Sequence, residues 1–511
     1  MQSNTGCIYL NTLRGGLDEL DANKGLIETG SALMLNSDGG IEYKGYIEKL
    51  TAHGNSSWDY SLKKPYNIKL ASKANLYGMG KSKKWILLGN YLDHSMLRNK
   101  TTIEMSRAAG MEYAMDSVFV DLYADGSYRG TYQLIERVNI GKDRVNIHNL
   151  GDKTEECNEK ELSSYKRTVE GESRLDEYME DSFKYYDIPN DPKDITGGYL
   201  LEFQPWNRYG IKAKSGFVTS KGQAVEISEP EYASREQALY IKNFVQDMED
   251  AIYSDTGYNS KGKHYSDYID VDSLITAYLV QEISMNVDAT KASFFFYKDS
   301  DKKGDGKLHF GSAWYFDLSY NNFSTVISNS NGEIGTSWNA NNLFAAYFPI
   351  SGYKESGRPA YGISWFGQLY KRDEIKKRAA KIYFQNFEPY LSDLVGSENN
   401  SDSLIINMAK EILPSAEMNN ARWHMYGGKE YCVFGSSSGD DFIGSVEIVS
   451  NFIEKRKTYL SQLWKPLLVR GDVNGDGLFN MADVAAMQKW LMCSDGLNCK
   501  KSRGFVRRRC N

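Results

Sequence analysis

The chain has 511 residues, 41% of them hydrophobic and 25% charged, an ordinary globular composition that excludes wholesale disorder. Its 61 Lys and Arg against 67 Asp and Glu leave a net charge of −6, so nothing in the overall balance draws it to a phosphate backbone, and nucleic acid is not an expected partner. At roughly 100–200 residues per domain, the length predicts two to four domains. The 36 Tyr, 21 Phe and 9 Trp suit an extracellular or carbohydrate-associated setting. The 6 Cys form no CxxC, which excludes a zinc ribbon or a dithiol redox motif and predicts free, buried thiols in the body of the chain. No window approaches 18 uninterrupted apolar residues, so no membrane span is expected. Residues 1–10 lack a basic stretch followed by an apolar one, so no signal peptide is visible there.

In chain order, IYLNTL, IEYKGYIEKLTA and YNIKLAS alternate or carry β-formers between Gly, Asn and Asp turns, and predict strands. Residues 93–110 space Met96, Leu97, Ile103, Met105 and Ala109 as a helix does, with Asp93 as N-cap and Gly110 as stop. Residues 117–138 predict a hairpin turning at Ala124, Asp125 and Gly126. The polar, acidic stretch 151–194 predicts a solvated insertion or mobile lid. Strand signals return at GGYLLEFQ, helices are expected at 234–253 and 270–284, and two β-rich runs, SFFFYKDS and KLHFGSAWYFDLSY, follow. From there to Trp464 the patterns are mainly helical. Sheet-rich first and helix-rich later is an α+β order. A break at Lys465 and Pro466 divides residues 1–464 from a linker at 465–470 and a small unit at 471–511.

That small unit carries a calcium-loop pattern. Asp472, Asn474, Asp476, Asn480 and Asp483 put side-chain oxygens at loop positions 1, 3, 5, 9 and 12. Gly477 stands at the sharp turn of position 6, and Leu478 offers its carbonyl. A hard cation wants six or seven such oxygens, and a helix follows directly. An Asx-rich turn without metal is the plainer alternative.

In the large unit, Gly54, Asn55, Ser56 and Ser57 form a donor-rich turn between strands, able to offer N–H groups to a phosphate or to be an ordinary hairpin turn. Lys69 stands in an apolar strand, facing solvent by alternation or reaching into a cleft to hold an anion. Asp288 follows an apolar helix end, and Asp317 sits among Trp314, Tyr315 and Phe316. Acidic groups in such company are costly unless paired or bound to metal. Two of them at neighbouring strand ends suit phosphoryl transfer, one orienting the nucleophile and one holding Mg²⁺. Singly, each reads as a cap or an ion-pair partner.

Taken in order, HGNSSW, KKPYNIKL, LLGNYLDHSMLRN, LYADGSYRGTYQLIERV, GGYLLEF, the NVD and FFFYKD run, WYFDLSYNN and NNARW resemble the spore-coat-protein-H (CotH) family of atypical secreted kinases, over about residues 8–464. The resemblance implies a divergent protein-kinase-like fold that uses ATP and Mg²⁺ to phosphorylate Ser or Thr of a partner protein. It implies that Gly54, Asn55, Ser56 and Ser57 lie over the phosphates, with Lys69 on the α- and β-phosphates. Asp288 would be the catalytic aspartate, Asp317 the Mg²⁺ ligand and Ser293 a weak second metal ligand, while Arg98 and Asn99 support the nucleotide side and Glu136 is a further cleft candidate. The chain departs from the family in having His53 before the glycine where Arg is usual, Tyr315 in place of the first aspartate of the acidic block, and Ser293 where a kinase has a metal-binding Asn.

VNGDGLFNMADVAAMQKWL likewise resembles one type I dockerin repeat, which implies an all-α calcium-binding half-module that plugs into a scaffoldin cohesin through Met481 and Ala482. The second repeat of that family is absent, and the tail CSDGLNCKKSRGFVRRRCN carries no ligand ladder. This resemblance implies an extracellular, cellulosomal protein associated with polysaccharide degradation, with plant polysaccharide as a further contact and an incomplete N-terminus. Two other functions stay open: a catalytically weak or dead kinase-like binding module, and a glycoside hydrolase, for which Glu202, Glu282 and Asp288 are the candidate carboxylates.

Overall fold

The computed structural model describes residues 5–171, 182–290, 292–323, 326–329, 332–336, 339–347, 363–396, 403–426, 438–468, 471–472 and 479–494. Among them the alternating strands of the first third close on themselves. The barrel runs β1 (Gly6–Thr12), β2 (Ile27–Leu35), β3 (Ile41–Ala52), β4 (Tyr66–Asn75), β5 (Lys81–Leu88), β7 (Ser127–Glu136) and β6 (Ser117–Ala124), and β6 pairs in parallel with β1 to shut it. Period-two alternation decides which face is inside. On β4, Tyr66, Ile68 and Leu70 fill the barrel with Ile8, Leu10, Trp85 and Leu134, so Asn67 and Lys69 must face outward. Short helices α1 (Asp18–Ala22) and α2 (Ser56–Asp59) sit in barrel turns.

A second sheet follows, ordered β14 (Leu308–Phe310), β13 (Phe295–Lys298), β10 (Tyr199–Phe203), β12 (Ala224–Glu229), β11 (Gly216–Val218), β9 (Phe183–Tyr186) and β8 (Arg167–Glu170). The stretch 151–194, expected as a solvated insertion, instead supplies β8 and β9 and, with Leu150, the helix α4 (Leu150–Glu156). Its polarity belongs to a sheet edge, which natural sheets protect with charged residues, and Phe183 and Tyr185 are buried. The hairpin β15 (Val326–Asn329) and β16 (Gly332–Thr336) stands apart from both sheets.

The helices are α3 (Arg98–Ala108), α5 (Trp206–Lys212), α6 (Arg235–Tyr253), α7 (Val271–Ser284), α8 (Trp365–Tyr370), α9 (Asp373–Ile382), α10 (Glu388–Val395), α11 (Leu404–Trp423), α12 (Phe442–Trp464) and α13 (Met481–Ser494). The largest core joins α6, α7 and α9 to α12 with the second sheet. A smaller one, with Ile86, Leu88 and Ile135 from the barrel's outer face and Leu200, Phe295 and Trp314 opposite, joins the two sheets. The α+β order read from the sequence holds.

Helix α3 begins at Arg98, not at the expected Asp93, because the Asp93 carboxylate takes the N–H groups of Ser95 at 3.0 Å and Arg98 at 2.9 Å and winds 93–97 into a turn ahead of the helix. The NNARW block is a brace: Asn419 Oδ1 accepts from Thr131 N–H at 3.1 Å and from the buried Lys63 amine at 2.6 Å, tying α11 to β7. Helix α12 ends at the buried Trp464, and a 3₁₀ turn, Lys465–Leu467, follows. No described helix is long and apolar enough to cross a membrane.

Candidate active site

Between barrel and second sheet lies a cleft of about 370 Å³. Its barrel wall is the turn from β3 to α2. Gly54 has φ +75°, and a Cβ there would come within 2.7 Å of Tyr315 Oη and closer still to Ser57 Oγ, so glycine is required. His53 N–H donates to Pro65 O at 3.0 Å, and its Nδ1 shares a hydrogen bond with Asn67 Oδ1 at 3.0 Å. Burial pushes the imidazole down to about 4, leaving it neutral at pH 7, with its ring stacked on Tyr315. Where the resemblance implies a fixed charge, this chain has an uncharged ring.

The opposite wall carries the acids. Asp288 follows the αL residue Met285 that ends α7, and its N–H donates to Asn286 Oδ1 at 3.2 Å. Asp317 is only 8% exposed. Burial, then the Asp288 charge, then that of Asp93, push its carboxyl up to about 7, against two N–H groups, its own and that of Leu318, that favour the anion. Two residues hold its loop from behind. Asn99 Oδ1 accepts from Phe316 N–H at 2.6 Å, and Arg98 Nε donates to Ser319 O at 3.0 Å. Arg98 is itself fully buried, ion-paired with Asp93 at 2.5 Å. Both residues therefore act through the Asp317 loop rather than from the cleft wall. Ser293 and Tyr315 line the cleft in left-handed conformations, φ +56° and +63°, strained for non-glycine residues. Tyr315, where the resemblance implies an aspartate, reaches across to hydrogen-bond Ser57.

The structure thus brings Gly54, Asn55, Ser56, Ser57, Asp288, Ser293 and Asp317 into one cleft. It leaves Lys69 out. Alternation turns Lys69 to the outer barrel face two positions from Asn67, where it pairs with Glu48 at 2.6 Å. Glu136 lies in a neighbouring hollow, paired with Arg144 at 2.6 Å and pushed up to about 7 by burial. Of the hydrolase candidates, Glu202 and Asp288 share the cleft, but Glu282 is fully buried in an ion pair with Arg456.

Other residues of the cleft are not among the expected site residues. Arg137, Gln204, Arg208, Lys212, Ser228 and Glu229 line it. Lys212 Nζ donates to Asn55 Oδ1 across it, from the end of α5. Burial and then Glu226 raise the Glu202 carboxyl, and burial raises Glu229. One signal was available for α5. Arg208 and Lys212 stand at i and i+4, a like-charge spacing that costs helix stability unless an anion sits near it.

These groups fit a magnesium nucleotide. Two carboxylates that repel one another are relieved by a divalent cation, and Mg²⁺ usually takes one or two carboxylates plus phosphate oxygens. Among the described residues no three His, Cys, Asp or Glu side chains converge into a ready metal cage, so a cation here would draw its remaining ligands from phosphate and water. Arg137, Arg208 and Lys212 offer the matching positive charge, and the volume falls within the usual range for small-molecule sites.

In the C-terminal unit, Asn474, Asp476 and Leu478 lie outside the described residues. Asn480 and Asp483 form a reciprocal cap at the start of α13: Ala482 N–H donates to Asn480 Oδ1 at 2.7 Å, and Asn480 N–H donates to Asp483 Oδ2 at 2.8 Å. Asp472 is half-buried just before the undescribed stretch.

A family model described as CotH kinase protein matches residues 50–460, a span that takes in both walls of the cleft. No curated protein matches the sequence.

Proposed function

The chain belongs to the CotH kinase protein family, and on that premise we propose that it transfers the γ-phosphoryl group of ATP to Ser or Thr of a partner protein. The observation that carries the reading is Asp288 and Asp317 lining one cleft, with mutual repulsion helping to hold a proton on Asp317 up to about pH 7. Asp288 would accept the proton of the attacking hydroxyl as the γ-phosphoryl leaves ADP, and Asp317 is the carboxylate that would hold the metal. Bound Mg²⁺ supplies charge neutralisation at the phosphates. The Gly54 turn presents N–H groups to the phosphates, and Arg208, Lys212 and Arg137 take the part that Lys69 does not. Asn99 and Arg98 are positioning residues for the Asp317 loop. The overall architecture is read as a divergent kinase, with the barrel as the nucleotide side.

Residues 471–511 are proposed to be a dockerin half-module, with Asp472, Asn474, Asp476, Leu478, Asn480 and Asp483 as Ca²⁺ ligands. It would hold the protein on a scaffoldin cohesin outside the cell, among enzymes of polysaccharide degradation. The cap formed by Asn480 and Asp483 supports the start of the helix that such a loop leads into.

One observation favours a weak or inactive variant. The Tyr315 hydroxyl bonds to Ser57 across the phosphate turn, in place of an acid that would hold metal. Incubation with Mg²⁺ and γ-labelled ATP, beside Asp317→Ala and Asp288→Asn, decides between them. Label transfer lost in both variants is the expected result. No transfer together with no nucleotide-induced thermal shift overturns the kinase reading and leaves the binding module. Reducing sugar released from plant polysaccharide, lost in Glu202→Gln, would support the hydrolase.

A further inference from the structure

The outer barrel face beside the cleft carries lysines that the phosphoryl-transfer chemistry does not use. Lys69 on β4 pairs in register with Lys49 on β3 and with Lys84 on β5, so three lysines cross the barrel in one row. Like charges at adjacent ladder positions repel. Glu48 answers Lys69 at 2.6 Å and Lys83 at 3.9 Å. Among the described residues, Lys73, Lys81, Lys84 and Lys142 have no ion-pair partner. All four line a groove of about 600 Å³. This groove shares Arg137, Ser228 and Glu229 with the cleft, so it opens directly into it.

The groove's far wall also holds carboxylates. Glu231 pairs with Lys214 at 2.8 Å. Glu229 accepts from Ile140 N–H at 2.9 Å, and Asp143 from Lys81 N–H at 2.9 Å. Arg144 is bound to Glu136. Over the whole lining, six lysines and two arginines stand against five carboxylates. A local positive excess on a chain of net charge −6 is a property of this face, not of the composition. The barrel is closed, so β4 and β5 offer no edge for strand addition, and recognition here must be by side-chain charge.

We propose that this groove binds an acidic segment of the phosphoacceptor protein and delivers its Ser or Thr past Arg137 to Asp288. The proposal rests on the phosphoryl-transfer reading. Neighbouring strands lie about 4.8 Å apart, and same-face residues of an extended peptide about 6.6–7 Å apart. Carboxylates at every second or third peptide position therefore meet the lysines of β4 and β5.

The test uses two labelled peptides of equal length, each with one central serine, one carrying alternating glutamates and the other alternating lysines. Their binding to the full chain is followed by fluorescence anisotropy without nucleotide. Wild type is compared with Lys73→Glu/Lys81→Glu/Lys84→Glu and with the neutral Lys73→Gln/Lys81→Gln/Lys84→Gln. The acidic peptide should bind, at least tenfold more weakly to the Glu variant and several-fold more weakly to the Gln variant. Its affinity should fall as NaCl rises from about 50 to 300 mM. The variants should keep the wild-type melting temperature and MgATP-induced thermal shift. In phosphoryl transfer, KM for the peptide should rise at least tenfold with KM for ATP unchanged. Equal binding to wild type and both variants, or preference for the basic peptide, overturns the proposal. So does binding of polygalacturonate but not of the peptide, which would make the groove an acidic-glycan site. Peptide bound without label transfer counts against the kinase reading alone. Transfer with a peptide KM unmoved by the variants counts against the groove alone.

Discussion

Replacing Asp317 with asparagine should stabilise the protein most at high pH. The Asp317 carboxyl is raised from its ordinary 3.8 to about 7 by burial and by the Asp288 charge. Between those two values the native state keeps a proton that the unfolded chain has released, so stability falls as pH rises through the window. Above pH 7 the full cost of the anion is present, about 4 kcal/mol from the difference of the two values. Near pH 5 it is under about 2 kcal/mol by the same relation. The asparagine side chain keeps an oxygen for the N–H groups that the Asp317 carboxylate accepts, and carries no charge. A folded unit of this size gains roughly 1 °C in Tm per kcal/mol. Thermal unfolding without metal or nucleotide should therefore show Asp317→Asn melting roughly 4 °C above wild type at pH 8 and about 2 °C or less above it at pH 5. Mg²⁺ should raise the wild-type Tm more at pH 8 than at pH 6, because it must displace the proton, and should leave the variant unmoved. A gain that does not change with pH, or a loss at pH 8, refutes the reasoning.

Gly54→Ala places a Cβ within 2.7 Å of Tyr315 Oη at φ +75°. It should cost about 1–3 kcal/mol in denaturant unfolding and weaken ATP binding about tenfold or more by calorimetry. Asn99→Ala strands the buried Phe316 N–H at a cost of about 1–3 kcal/mol. In steady-state kinetics kcat should fall while KM for ATP changes little, since Asn99 acts on the Asp317 loop. Arg456→Met leaves the fully buried Glu282 uncompensated and should cost about 3–5 kcal/mol in chemical denaturation, with Glu282→Gln/Arg456→Met recovering part of the loss. Calcium added to the full chain should raise helical circular dichroism, and Asp472→Ala/Asp476→Ala should abolish the rise.

What the sequence discloses depends on how far apart the partners lie. The barrel is readable because each strand states its own inside: Tyr66, Ile68 and Leu70 alternate with Asn67 and Lys69 within one short segment. The same alternation already turns Lys69 outward, and its role on the phosphates comes only from the resemblance. The Gly54 turn is local and legible too. Arg208 and Lys212 are not, because their place opposite Asn55 is made by a helix docking across 157 positions of chain. Nor could the polarity of 151–194 distinguish a solvated loop from edge strands, since an edge strand is polar for its own reason. The Arg456 and Glu282 pair is invisible for the first reason: each is an ordinary charged residue in a helical pattern until 174 positions of chain fold between them.

The raised proton affinity of Asp317 has a cause that runs through a residue outside the cleft. Arg98 is the buried guanidinium that grips the Asp317 loop through its Nε, at a backbone oxygen, yet it is ion-paired with Asp93. Asp93 in turn adds its own negative field to Asp317. The pair thus fixes the loop mechanically without neutralising the acid it carries. Asp317 shares its cleft with Asp288, and Arg137, Arg208 and Lys212 line the same space. Burying a carboxylate in this way lowers stability, and a cation held by Asp317 would return it. The same burial and repulsion that cost stability are what a divalent metal at Asp317 would relieve.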